Sequence, residues 1–218
     1  MNKKIKYMTS VAMLVAMAYI LLLLPRIPVV LFLKYDPKDI VITLGGLIWG
    51  PLTAAVVSVI VSLLEAITIS DTGPWGFVMN ILSTCAFACV ASLIYKKWRT
   101  LSGAVVGLLA GVVSMVIAML FWNYLITPIY MGYPREAVAA LLIPAFLPFN
   151  LIKAGLTAAL TFLLYKPVMT ALRRARLVES PSIESEQKSH PIVLWGVCVA
   201  IIAGCVLAIL FMRNIRSF

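Results

Sequence analysis

Asn150 and Lys153 are the polar side chains best placed to do chemistry, because they open an apolar run that starts at Pro148-Phe149 and continues to Tyr165. On a helix, positions three apart share a face, so the amide and the ammonium point the same way. An ionisable group at membrane depth costs about 3 kcal/mol on insertion scales and faces a bundle interior or a water-filled cavity. The pair is therefore a ligand-site candidate. The competing reading is that Lys153, not far inside the helix, snorkels to the nearby interface. Asn123, in the aromatic stretch Phe121-Trp122-Asn123-Tyr124, lies at the same depth as the pair. Asn80 sits a little inside a third apolar run, where an amide either bonds a neighbouring helix or takes a ligand.

The elements that must hold these groups are membrane helices. Of 218 residues, 63% are hydrophobic and only 12% charged, a composition far too apolar for an ordinary soluble domain. The net charge of +10 falls in short clusters between apolar runs, as the positive-inside rule places it, and this argues against nucleic-acid binding. Cys85, Cys89, Cys198 and Cys205 all lie within apolar runs and His190 lies in a polar linker, so neither a zinc site nor a disulfide framework is expected. The chain has no G-x-x-x-x-G-K-[ST] loop, no H-E-x-x-H and no G-x-S-x-G, and Glu65 is the only acid near membrane depth. ATP hydrolysis by the chain itself and the usual hydrolase and metal chemistries are thereby excluded, and no enzyme is expected.

Asn2-Lys3-Lys4-Ile5-Lys6 puts the N-terminus in the cytoplasm, and the apolar run at 8–25 is long enough to span rather than to be a removable signal. Within it, Ala12-x-x-x-Ala16 leaves a flat groove for another helix, inside the protein or on a partner. Three prolines make 25–39 an ordered external loop. A second helix follows at 37–49, with Asp36 as its N-cap and Pro37 as its first residue. Lys96-Lys97-Trp98-Arg99 should share the side of the N-terminus, so 40–66 must supply an even number of crossings, read here as two, with Gly50-Pro51 as the turn and a return helix at 52–69. The first of these two helices rises only about 20 Å against a hydrocarbon core of about 30 Å, so neighbours must cover it.

An external turn at 70–74 leads to helices at 74–95 and 101–126, the latter with Gly103, Gly107 and Gly111 in its first half. An external loop at 127–148, with prolines at 128, 134, 144 and 148 and room for a short helix at 135–143, precedes a sixth helix at 149–172. That helix ends in Arg173-Arg174-Ala175-Arg176, a cytoplasmic anchor. The expected architecture is an all-α integral membrane protein. Residues 1–176 form a six-helix functional unit, 177–191 a polar linker, and 192–218 an additional transmembrane helix with a short tail. The extra helix is a lipid anchor or a partner-binding helix.

Four stretches carry a family resemblance: Phe32-Leu33-Lys34-Tyr35-Asp36-Pro37-Lys38-Asp39, Gly73-Pro74-Trp75-Gly76-Phe77-Val78-Met79-Asn80, Asn123-Tyr124 with Thr127-Pro128, and Pro148-Phe149-Asn150-Leu151-Ile152-Lys153. Together the six-helix part resembles the substrate-binding S components of energy-coupling factor (ECF) transporters, the riboflavin-specific type most closely. The resemblance implies a multi-pass protein of the cell membrane with a cavity open to the outside. The ends of the fourth, fifth and sixth helices wall this cavity and the loop before the second covers it. It implies riboflavin as transported ligand rather than cofactor, held by Asn150, Lys153, Asn123, Asn80 and the loop residues Leu33, Lys34, Tyr35 and Asp36. It also implies a transmembrane coupling protein with two ATPase subunits, docking on Ala12 and Ala16, and membrane lipid around the whole.

An isoalloxazine ring has flat apolar faces and a polar uracil-like edge, which an amide and an ammonium match. Three other readings compete. A metal-specific S component would show N-terminal histidines, absent here, whereas one for another vitamin shares the architecture. A lipid-modifying enzyme needs an inward acid or histidine cluster, and a structural or signalling protein would bind no small molecule. The linker and seventh helix depart from the usual core of the family.

Overall fold

The computed structural model describes residues 3–24, 27–30, 33–69, 73–175 and 191–215. The expectations for Phe32, for the 70–72 turn and for the 177–190 linker lie outside these residues. Helix α1 is Lys3–Leu23, followed by strands β1 (Ile27–Val30) and β2 (Leu33–Tyr35). Helices α2 (Lys38–Trp49), α3 (Pro51–Thr68), α4 (Gly73–Lys97) and α5 (Leu101–Met131) come next. A short α6 (Arg135–Leu141) and a π-helical turn (Leu142–Phe146) lead into α7 (Leu147–Arg174), and α8 is Pro191–Ile215. Five helical segments among the described residues are long and apolar enough to cross a bilayer, and Trp195–Leu210 is a shorter apolar stretch. The chain is a multi-pass membrane protein.

The expected helix pair joined at Gly50-Pro51 is present. Gly50 turns the chain with φ 104 and ψ 170, a conformation that side chains rarely adopt, and donates its N–H to the Gly46 carbonyl at 2.7 Å. Pro51 then opens α3, where its missing N–H costs nothing. Lys38 in the first turn of α2 touches Glu65 in the last turn of α3, so the two helices run antiparallel. The first ten residues of the twelve-residue α2 are all buried, the cover that a helix of that length needs.

Three boundaries differ from the sequence reading. The 25–39 loop contains a small antiparallel ribbon, pairing Ile27 with Tyr35 and Pro28 with Lys34, an addition to an otherwise all-α fold. Its β-branched and aromatic residues suit a pleated surface, and proline is tolerated at a ribbon edge. Helix α2 starts one residue late, with Pro37 as its N-cap and no side-chain cap. Asp36 does not cap it, and its carboxylate lies 3.8 Å from the fully buried Lys38. Finally, most of the 127–148 loop is helix. Pro128 lies inside α5, which ends only at Gly132 in the left-handed region. Pro144 lies in the π turn, where the Leu147 N–H reaches back five residues to the Leu142 carbonyl. Prolines are tolerated within membrane helices because local π adjustments and neighbouring helices satisfy the freed groups.

Two apolar cores hold the bundle. The larger draws Leu14 and Ala18 from α1, Ile42 from α2, Val57 from α3, Phe87 from α4 and Met115 from α5. Where α4 meets α5, a Cβ on Gly111 would stand 2.8 Å from the Phe87 carbonyl oxygen, so the glycine is what allows backbone to approach backbone. The smaller core joins the ribbon to α6, the π turn, α7 and α8. Opposite the ribbon, Tyr7 of α1 bonds Thr53 at the start of α3 (3.1 Å), and Tyr95 of α4 bonds Tyr165 of α7 (2.7 Å). The start of α1 and the ends of α4 and α7 thus share one end of the bundle, here termed the basic end.

Candidate ligand site

The site is assembled where the ribbon passes into α2. Strand β2 alternates, burying Leu33 and Tyr35 and leaving Lys34 exposed, as a period of two dictates. The chain then delivers Asp36, Lys38 and Asp39 into the interior, all buried. An isolated charge there would be prohibitive, and each one is matched. Lys38 donates directly to the Glu65 carboxylate and lies 3.8 Å from Asp36 Oδ1. Asp39 accepts from Thr84 of α4 at 2.7 Å on one oxygen and pairs with Lys153 of α7 at 3.1 Å on the other. Four helices and the ribbon are pinned to one another by this cluster. Burial pushes the Asp36 carboxyl above its ordinary range against the pull of Lys38, and burial ahead of the Asp39 charge pushes the Tyr35 phenol upward as well.

Asn150 is buried one turn before Lys153 on α7, as the spacing required. Its Nδ2 donates to the Phe146 carbonyl at 2.8 Å, within the π turn, while its Oδ1 has no hydrogen-bond partner among the described residues. Tyr35 Oη and Asp36 Oδ1 are also buried without a hydrogen bond. Such atoms are costly in apolar surroundings and call for a partner. Other atoms in the same condition are hydroxyls of Ser58, Ser62, Ser83 and Thr161. A hydroxyl needs only a rotation to reach a helix carbonyl, a relief closed to an amide oxygen.

The remaining sequence candidates divide. Asn123 is fully buried, but its amide is engaged within α5, donating to the Met119 carbonyl at 2.7 Å and accepting from Thr127 at 2.9 Å. Thr127 in turn lines a narrow cleft of about 10 Å³ with Trp75, Met79, Trp122 and Tyr130, between the ribbon-side halves of α4 and α5. Asn80 is half-buried on α4, and Lys34 faces away from the buried side of the ribbon. Ala12 and Ala16 are exposed on α1, while Ala18, two positions further on, is packed inside. The sequence reading missed Lys38, Asp39, Glu65 and Thr84. The signal was Glu65 itself, since an acid alone in an apolar run demands a cation.

A buried, charge-matched polar cluster thus lies under a ribbon at one end of a multi-pass membrane bundle. The chain belongs to the family of ECF transporter substrate-specific components, whose description matches residues 6–165. It is a transport component. It is 30% identical over 190 residues to the riboflavin transporter FmnP of Bacillus subtilis, covering 80% of this chain and 99% of that protein. Identity to the riboflavin transporter RibU of Staphylococcus aureus is 26% over 179 residues, covering 78% and 93%. The solved S component of a bacterial ECF transporter superposes with a TM-score of 0.67 at 26% identity, over 78% of this chain and 99% of that one.

Proposed function

We propose that this chain binds riboflavin beneath the ribbon and delivers it to an ATP-driven ECF module for uptake across the cell membrane. The observation that carries the reading is the buried, unpartnered Asn150 Oδ1, one turn from the Lys153 ammonium. The uracil-like edge of a flavin presents an imide N–H between two carbonyls, so an amide acceptor beside an ammonium donor reads it in the right order. Tyr35 Oη and Asp36 Oδ1 supply further polar contacts, and Leu33 and the aromatic cleft between α4 and α5 supply apolar surface for the ring. Asn123 bonds Thr127 of that cleft, and Asn80 follows its Met79 in the chain. Riboflavin is cargo, not a resident cofactor.

In this reading residues 1–176 are the functional unit, the basic end lies in the cytoplasm with the N-terminus, and the ribbon faces outward. A transmembrane coupling protein with two ATPase subunits docks on the exposed Ala12 and Ala16, whose small side chains let a foreign helix approach α1 closely. Ala12→Trp is expected to abolish riboflavin uptake while leaving riboflavin binding at the wild-type level. Loss of binding would assign the stripe to internal packing. The direct test of the function is the purified protein itself. Flavin-like absorbance after release of the bound small molecule supports the reading, and a chain that neither carries nor takes up riboflavin contradicts it.

A further inference from the structure

Helix α8 lies against α7 and reaches the ribbon. At the basic end its Trp195 shares a groove with Lys166 and Arg174 of α7, and at the other end its Ile209, 6% exposed, lies in the core that holds Val29 of β1 and Leu33 and Tyr35 of β2. The two helices are therefore antiparallel along nearly their full length. Contact is confined to one stripe. Cys198 and Ile209 are buried and Ile202 and Cys205 partly so, at helical spacing, while Val197, Val199, Leu207 and Leu210 are exposed. Midway, Cys205 Sγ and an Ile201 methyl come within 3.6 and 3.9 Å of the position a Cβ would take on Gly155. Gly155 is two positions past Lys153, and residues two apart point to nearly opposite sides of a helix. Helix α8 thus backs the side of α7 that faces away from the Asp39–Lys153 pair.

The ribbon needs such support. A two-stranded ribbon is marginally stable alone, and this one consists of strands of four and three residues. It nevertheless carries Leu33, Tyr35 and Asp36 into the site. We infer that α8 is a brace for the ligand site: through Ile209 it holds β1 against the start of α7 and slows the escape of the ligand. Only the kinetic part of this inference rests on the riboflavin reading above.

Two measurements on the full chain test it, namely hydrogen exchange of the ribbon amides without ligand and release of bound riboflavin followed by recovery of flavin fluorescence after a chase. In Ile209→Ala, ribbon exchange and riboflavin release are both expected to quicken by about tenfold, with association unchanged, as the anchoring contact becomes a cavity. Leu207→Ala, on the exposed face of α8, is expected to match wild type in both. Ile209→Val gives a smaller change of the same sign and serves where the alanine variant does not fold. Wild-type exchange and release in the Ile209 variants overturn the brace. A wild-type chain with no riboflavin to release overturns the ligand reading alone, and ribbon exchange then decides the brace by itself.

Discussion

At the ribbon end of the bundle, three carboxylates, two ammonium groups and two amides are buried together. At the basic end the charged side chains of Lys96, Lys97, Arg99 and Arg174 lie exposed, and uncharged groups make polar contacts between and within helices, such as the Tyr7–Thr53 and Tyr95–Tyr165 hydroxyl pairs and Ser92 donating to the Ala88 carbonyl. Backbone geometry follows the same division. The ribbon, the π turn and the internal Pro128 fall in one half, whereas the other half is more regular, with Pro167 inside α7 as its internal helix proline and α5 opened by a Thr100 cap that accepts from the Gly103 N–H at 3.0 Å. Burying charge and interrupting helices both cost stability, and their concentration falls at the end that the proposed function assigns to binding. The more regular half is the scaffold that makes this cost tolerable.

The sharpest way to break this contrast is to strip one charge from the ribbon end. Glu65→Ala leaves Lys38 fully buried without its direct partner, with Asp36 at 3.8 Å, and loss of one partner of a buried pair costs about 3–5 kcal/mol. The expected result is a large fall in the thermal unfolding temperature in detergent, mostly restored when Lys38→Met is added. An unchanged unfolding temperature in Glu65→Ala would show that the cluster is not holding the ends of α2 and α3. The smallest effect belongs to the basic end. Tyr95→Phe removes one hydroxyl contact with Tyr165, leaves the edge-to-face ring packing in place, and is expected to cost about 1 kcal/mol with riboflavin affinity unaltered. A loss of affinity there would mean that the two ends are coupled more tightly than a scaffold and a site.

The contrast also explains what was legible in the sequence. The membrane helices were, because runs of apolar residues bounded by basic clusters admit few other readings, and charge parity together with Gly50-Pro51 pointed to a helix pair turning there. Asn150 and Lys153 were legible as a pair because their relation is local to one helix. The partners of Lys153 and Lys38 were not. Lys38 meets Glu65 across 27 positions of chain, and Asp39 joins α4 and α7, relations that only packing creates. The prolines misled for a related reason. Pro128 and Pro144 break an isolated helix, but in a bundle the π turn and neighbouring segments absorb the loss. Asn123 is fully buried, yet Thr127 four residues on occupies its amide oxygen, a pairing that helical spacing permits but does not compel.

Affinity for riboflavin in the Asn150 and Lys153 variants tests the central claim most directly. The unmodified chain is expected to quench flavin fluorescence saturably. Asn150→Ala and Lys153→Met are each expected to weaken binding by roughly tenfold to a hundredfold, the consequence of losing a buried polar contact of about 1–3 kcal/mol. Well-folded Asn150→Ala and Lys153→Met proteins that titrate like wild type would remove the ligand from α7 and contradict the site proposed here.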